Sequence, residues 1–236
     1  MTIYNRENFL NNIADNLGRP VRKQVERPVW KFQPQHEVLK DATPDELVEV
    51  LKKQCQNIHT SFVSTTTEQL ATTLQQVVDE CGGKSVITWK DDRFEKFGLL
   101  PLMTEQWPKN DIAFYEWDEK NPEENIRYAE KANIGITISE MTLAESATAM
   151  LYSDKNRGRT INFLPEKSIV LIPKSTLVPR MTQAARHIHE NIQKGEQIPS
   201  CILFMTGPSN SADIEMVLIV GVHGPVKATY ILIEDQ

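Results

Sequence analysis

The sequence predicts an α/β protein: a mostly parallel sheet flanked by helices, with an N-terminal helical extension. Three observations lead there. Between residues 62 and 132 short β-branched runs alternate with amphipathic stretches, the order of βαβ units covered on both faces. Two helix starts share one logic, Thr43-Pro44-Asp45-Glu46 and Asn121-Pro122-Glu123-Glu124. In each, a polar residue caps, proline needs no donor at the first helical position, and a carboxylate reaches back. Finally, 236 residues suit one core, large enough to be stable without disulfides or a structural metal.

In order along the chain, residues 4–17 form an amphipathic helix, with Phe9, Leu10, Ile13 and Leu17 at helical spacing and Gly18 and Pro20 ending it. Pro20, Pro28 and Pro34 make residues 20–35 an extended linker, with Trp30 and Phe32 as its candidate anchors. A helix at 43–57 follows, a short strand at Phe62 and Val63, and a helix at 66–81 closed by Gly82-Gly83. Strands are expected at 85–89 and 112–117, and a helix at 121–132. Residues 134–139, 147–152, 160–163 and 168–172 read as strands, with Asn156-Arg157-Gly158-Arg159 as a hairpin-like turn. A helix at 178–194, a strand at 201–206, a helix at 212–220 and a last strand at 228–233 complete the pattern. The division expected is residues 1–40 as helix and linker, and 41–236 as the α/β domain.

The net charge of −6 argues against a nucleic-acid binder, which needs a basic stripe. Lys155, Arg157 and Arg159 are too few to track a phosphate backbone. Cys55, Cys81 and Cys201 are far apart and odd in number, against both a disulfide framework and an iron–sulfur cluster. Arg6, Glu7 and Asp15 interrupt any signal peptide, and no apolar run approaches membrane-spanning length. The chain is expected in the cytoplasm, without a membrane span, metal or cofactor of its own.

Two segments carry candidate chemistry. In Thr206-Gly207-Pro208-Ser209-Asn210-Ser211-Ala212-Asp213-Ile214-Glu215 a strand gives way to an expected helix, where free backbone donors favour an anion. The plainer reading is a capped turn, with Asn210 as cap and Asp213 at the positive helix end. In Gly221-Val222-His223-Gly224-Pro225 the glycines permit a tight corner. His223 is either a ligand contact or an imidazole satisfying loop carbonyls. Upstream, Glu145 and Thr148 lie among small residues in Leu143-Ala144-Glu145-Ser146-Ala147-Thr148, a place for close backbone approach or for an acid held by backbone donors. His187 and His189 are two apart on a helix, the wrong spacing for a shared metal.

These segments, with Gly135-Ile136-Thr137, resemble the lactate utilization protein C family of the LUD-domain group. The resemblance covers the C-terminal half by motif and the N-terminal half by layout. It implies a fold akin to sugar-phosphate isomerases and CoA transferases, and an accessory role in oxidising L-lactate to pyruvate beside iron–sulfur subunits. It implies no catalytic residue. The family pattern has Thr-Gly-Thr where this chain has Ser146-Ala147-Thr148, and Arg-Thr where it has Asn210-Ser211. The ligand-binding candidates are Glu145, Thr148, Gly207, Ser209, Asn210, Ser211, Asp213, Gly221, His223 and Gly224, with an anionic small molecule as ligand. An independent transferase or isomerase using Glu145, or a sugar-phosphate or carboxylate binder, is the alternative.

Overall fold

A computed structural model of the chain describes residues 4–22, 24–26, 28–213 and 215–236. The chain divides into two compact units, residues 1–37 and 38–236. The first holds α1 (Arg6–Asn16), after which Gly18 at φ 60° turns the chain out of the helix. Trp30 and Phe32 are exposed.

In the second unit α2 (Pro44–Asn57) opens with the expected reciprocal cap. Glu46 N–H donates to Thr43 Oγ1 (3.3 Å) and Thr43 N–H donates to Glu46 Oε2 (2.8 Å). After β1 (Thr60–Thr65), α3 (Thr67–Glu80) buries Leu70, Leu74, Val77 and Val78 on one face, as spacings of four, seven and eight dictate. Next come β2 (Ser85–Thr88), a single turn α4 (Arg93–Lys96), a π-helical turn running into α5 (Trp107–Lys109), β3 (Ala113–Glu116) and α6 (Pro122–Lys131). They lead to β4 (Ile134–Ile138), β5 (Met141–Leu143), β6 (Thr148–Ser153), β7 (Lys167–Pro173) and β8 (Leu177–Val178). The chain continues through α7 (Met181–Gln193), β9 (Cys201–Thr206), β10 (Asn210–Ser211), β11 (Ile219–Val220) and β12 (Lys227–Ile233).

Six strands form one sheet in the order β1-β12-β7-β4-β2-β3, every neighbouring pair parallel. Consecutive residues of its central strands, such as Ile169, Val170, Leu171 and Ile172, are all buried, because both faces are covered. A second sheet, β8-β5-β6-β9, separates its faces by alternation. Ala149, Leu151, Leu203 and Met205 join the main core, whereas Leu143, Met150, Tyr152 and Ile202 pack with Ala184 and Ile188 of α7.

Four expectations are corrected. Residues 159–162 form a 3₁₀ turn rather than a strand. The amides of Phe163 and Leu164 return to Thr160 O at 3.2 and 2.9 Å, which closes the backbone on itself and leaves no ladder. With no strand after it, the 156–159 turn is not a hairpin. Residues 212–220 form no helix: left-handed Glu215 (φ 52°) and Met216 (φ 59°) interrupt any helical path. The chain there makes the β10/β11 ribbon, with Ile214 outside the described residues. Asn121 does not cap α6; its amide bonds Asp118 Oδ2 at 2.6 Å. The buried Asn125 reaches back instead, accepting from Asp118 N–H (3.0 Å) and donating to Asp118 O (2.7 Å). The short β5 and β8 carry too few residues for a pattern and were not anticipated.

Candidate functional site

One row of paired residues crosses the second sheet: Val178 beside Leu143, Leu143 beside Thr148, Thr148 beside Thr206. Ladder partners point the same way, and Leu143 and Val178 pack on the α7 side. The Thr148 and Thr206 side chains therefore lie on that side as well. Their hydroxyl oxygens are 2.7 Å apart, and Ser146 Oγ is 2.7 Å from Thr148 Oγ1.

Just beyond this row stand Arg180, Glu145 and Gly207. Glu145 N–H donates to Pro179 O at 3.0 Å, and its Oε2 lies 2.9 Å from Arg180 Nε, the two side chains being 37% and 25% exposed. The predicted Glu145, Thr148 and Gly207 thus lie at one end of the second sheet, which forms its rim. Arg180 and Thr206, which sequence reasoning passed over, complete it. The only hint of Arg180 was its place at the start of the helix expected at 178–194.

Tyr230 of β12 ties the rim to the main sheet. Its buried hydroxyl donates within reach of Ala147 O (3.0 Å) and Met205 O (3.1 Å) and accepts from Gly207 N–H (3.3 Å). Burial pushes its phenol up from the ordinary value, so it stays a neutral donor. Gly207 is needed for geometry: at φ 67° a β-carbon would sit 2.8 Å from both Ile58 O and Thr60 Oγ1. Ala147, where the resembled pattern has glycine, takes a left-handed φ of 49°.

The remaining predicted residues gather on the β10/β11 ribbon. Ser209 N–H donates to Pro225 O and Gly221 N–H to Ser209 O, both at 2.9 Å. Gly224 lies against Ser209, where a β-carbon would come within 3.1 Å of Ser209 Cβ. Asn210 donates to Pro208 O at 3.2 Å, and Ser211 Oγ donates to Asp213 Oδ2 at 2.7 Å. His223 Nε2 lies 3.5 Å from Asp213 Oδ2, both side chains largely exposed, so solvent screens that pair. With the helix absent and these amides occupied, the expected free donors of a helix start are not formed.

A second cluster escaped the sequence reading. From the carboxyl ends of the adjacent β2 and β4 the chain leaves in opposite directions, to β3 and toward β7, and such a reversal opens a crevice. Glu140 Oε1 there accepts from Arg93 Nη2 (2.7 Å) and Arg157 Nη1 (2.5 Å). Arg93 also pairs with Asp91, and Arg157 with Asp154. Burial pushes the Asp91 carboxyl up, but the hydrogen bonds and charge of Arg93 outweigh it and hold it below its usual value. Trp89 Nε1 donates to Gly158 O (2.9 Å) and Trp117 Nε1 to Lys155 O (3.0 Å), pinning the loop. Cavities of about 510 and 380 Å³ share Asp154, Asn156 and Arg157. The arginines are already committed to carboxylates, so this cluster acts first as a strut.

Among the described residues no three His, Cys, Asp or Glu side chains gather to hold a metal, and none of the helices is long and apolar enough to cross a membrane. His187 and His189 bond Asn191 and Gln193 one turn on, at 3.0 and 2.9 Å.

Comparison with known proteins agrees with this architecture. A family model described as LUD domain matches residues 48–233. Lactate utilization protein C of Geobacillus sp. (strain WCH70) is 53% identical over 236 residues, covering 100% of this chain and 98% of the relative. That of Bacillus subtilis (strain 168) is 51% identical with the same coverage. The crystal structure of a DUF162 family protein from Deinococcus radiodurans shares the fold at TM-score 0.57 and 13% identity, covering 81% of this chain and 99% of that one.

Proposed function

This chain belongs to the LUD domain family, and on that premise we propose that it is the accessory, cluster-free C-type subunit of a bacterial L-lactate utilization system. The observation that carries this reading is identity of about half the residues, over the whole length, to proteins named lactate utilization protein C. Oxidising a 2-hydroxy acid to a 2-oxo acid releases electrons that need an acceptor. Iron–sulfur clusters are held by gathered thiolates, and among the described residues no three His, Cys, Asp or Glu side chains come together. The reading therefore assigns electron transfer to iron–sulfur partner subunits in the cytoplasm. The same reading places a small anion at the rim of Glu145, Thr148 and Gly207, with the β10/β11 ribbon residues beside it.

Deletion of the chain from its host should abolish growth on L-lactate while leaving growth on glucose intact, and the chain should co-purify with the iron–sulfur subunits. Oxidation of L-lactate by the isolated chain with an artificial acceptor would overturn the accessory role. Undiminished growth of the deletion strain on L-lactate would overturn the assignment itself.

A further inference from the structure

The cavity of about 510 Å³ beside the arginine strut is lined by Tyr152 and Ser153, whose buried hydroxyls have no partner among the described residues. We propose that this cavity is a binding site for an uncharged polyhydroxylated molecule of monosaccharide or nucleoside size, with Tyr152 and Glu196 recognising a pair of neighbouring hydroxyls. The inference stands apart from the lactate reading, because it concerns the opposite end of the second sheet from the Glu145 rim.

Three segments build the cavity: the end of β6 with the turn that follows it, Asn191 near the end of α7, and residues 196–200 leading into β9. Asn191 comes seven residues after Ala184 and three after Ile188, so it continues the face of α7 that packs on the second sheet. It is 8% exposed, and Ser153 across from it is 6% exposed. Glu196 N–H donates to Asn191 O at 3.0 Å, which anchors the 196–200 segment to the helix end. A volume of about 510 Å³ lies within the range of small-molecule sites. A buried hydroxyl without a partner is costly, and a native fold keeps one where water or a ligand completes it. Burial, and after it the charges of Glu140 and Glu196, push the Tyr152 phenol up, so it stays neutral and can both donate and accept.

Charge selects the ligand class. The lining holds two cations and two carboxylates, Lys155 and Arg157 against Asp154 and Glu196. Arg157 is bound to Glu140 at 2.5 Å and to Asp154 at 2.7 Å, and Lys155 lies 3.0 Å from Glu119. An anion entering the cavity therefore meets cations already paired, and meets Glu196 as a like charge. An ionised carboxylate only accepts, and its hydrogen bonds from hydroxyls are charge-assisted. Its two oxygens suit two adjacent ligand hydroxyls. Asn156, Asn191 and Ser200 add groups that both donate and accept, which matches a ligand that is rich in hydroxyls and carries no charge.

The test is titration of the full, isotope-labelled chain with D-glucose, adenosine, their deoxy counterparts lacking one hydroxyl of the adjacent pair, and glucose phosphate, followed by backbone amide shifts. Saturable binding of D-glucose or adenosine is expected, with shifts centred on residues 152–157 and 196–200, and the one that binds fixes the size class. The deoxy counterpart and the phosphate should bind roughly tenfold more weakly or worse. Glu196→Gln, on an exposed segment, should weaken binding roughly tenfold and narrow the gap between glucose and its phosphate. Tyr152→Phe should weaken binding roughly threefold or more while leaving the unfolding midpoint unchanged or higher, since the hydroxyl it removes has no partner in the protein. A structural hydroxyl would instead lower the midpoint. Absence of saturable binding by both D-glucose and adenosine, which would leave the two hydroxyls to water, overturns the inference. So does equal binding of the phosphate, unchanged affinity in Glu196→Gln, or a lowered midpoint with unchanged affinity in Tyr152→Phe.

Discussion

The carboxylate of Asp235 accepts the backbone N–H of Thr67 at 2.8 Å and the Thr67 hydroxyl at 2.9 Å, so the penultimate residue of the chain caps the start of α3. Thr66, at the local cap position, makes no such bond with its side chain. Hydrogen bonds from Thr67 hold the Asp235 carboxyl below its usual value.

Asp235→Ala should therefore lower the unfolding midpoint by roughly 2–4 °C, the scale of one lost cap in a chain of this size. A carboxyl depressed in the folded state contributes stability above its unfolded pKa and loses it as pH falls through the folded value. The difference between wild type and Asp235→Ala, followed by circular dichroism, should be full at pH 7 and shrink below about pH 4. A difference independent of pH would assign the effect to packing.

Tyr230→Phe removes the buried hydroxyl that Ala147 O, Met205 O and Gly207 N–H share. A loss of about 1–3 kcal/mol is expected in urea unfolding with an unchanged m-value. Amide exchange at Gly207 should accelerate more than exchange at Ile231.

Two substitutions at left-handed positions should act with opposite sign. Gly207→Ala meets an unfavourable φ and the Ile58 carbonyl together, and should cost about 1–3 kcal/mol. Ala147→Gly relieves a φ of 49°, and should be neutral or stabilising by up to about 1 kcal/mol after the added freedom of the unfolded chain is counted. Urea titration of both variants against wild type measures the pair.

Arg93→Ala leaves Asp91, whose side chain is only 8% exposed, without its main counter-charge. Breaking such a pair from one side costs about 3 kcal/mol at neutral pH. Asp91 and Asp154 are both held low, each against the opposing effect of burial, by Arg93 and Arg157 respectively. Their contribution is present above pH 4 and is lost as pH falls through the lower folded values. Acid titration of the midpoint should thus be steeper for wild type than for Arg93→Ala.

How far the residues themselves disclosed the molecule depends on the range of the interaction involved. The Thr43–Glu46 cap, the face of α3 and the parallel sheet follow from contacts within a few residues or from simple periodicity, and these were legible. Residues 212–220 were misread because an apolar stretch with a plausible cap also suits a ribbon, and the left-handed backbone at Glu215 and Met216 leaves no signature in residue type. Glu145, Thr148 and Gly207 could be named as candidates by their local setting. That they share a rim was decided by the ladder joining β8, β5, β6 and β9, whose shortest members are two and three residues long. Arg180, Tyr230 and Asp235 look ordinary in sequence, and their roles exist only because strand pairing brings residues 35, 83 and 168 positions away to within hydrogen-bonding distance. Local propensity determines which elements form, whereas burial and long-range pairing decide which side chains meet.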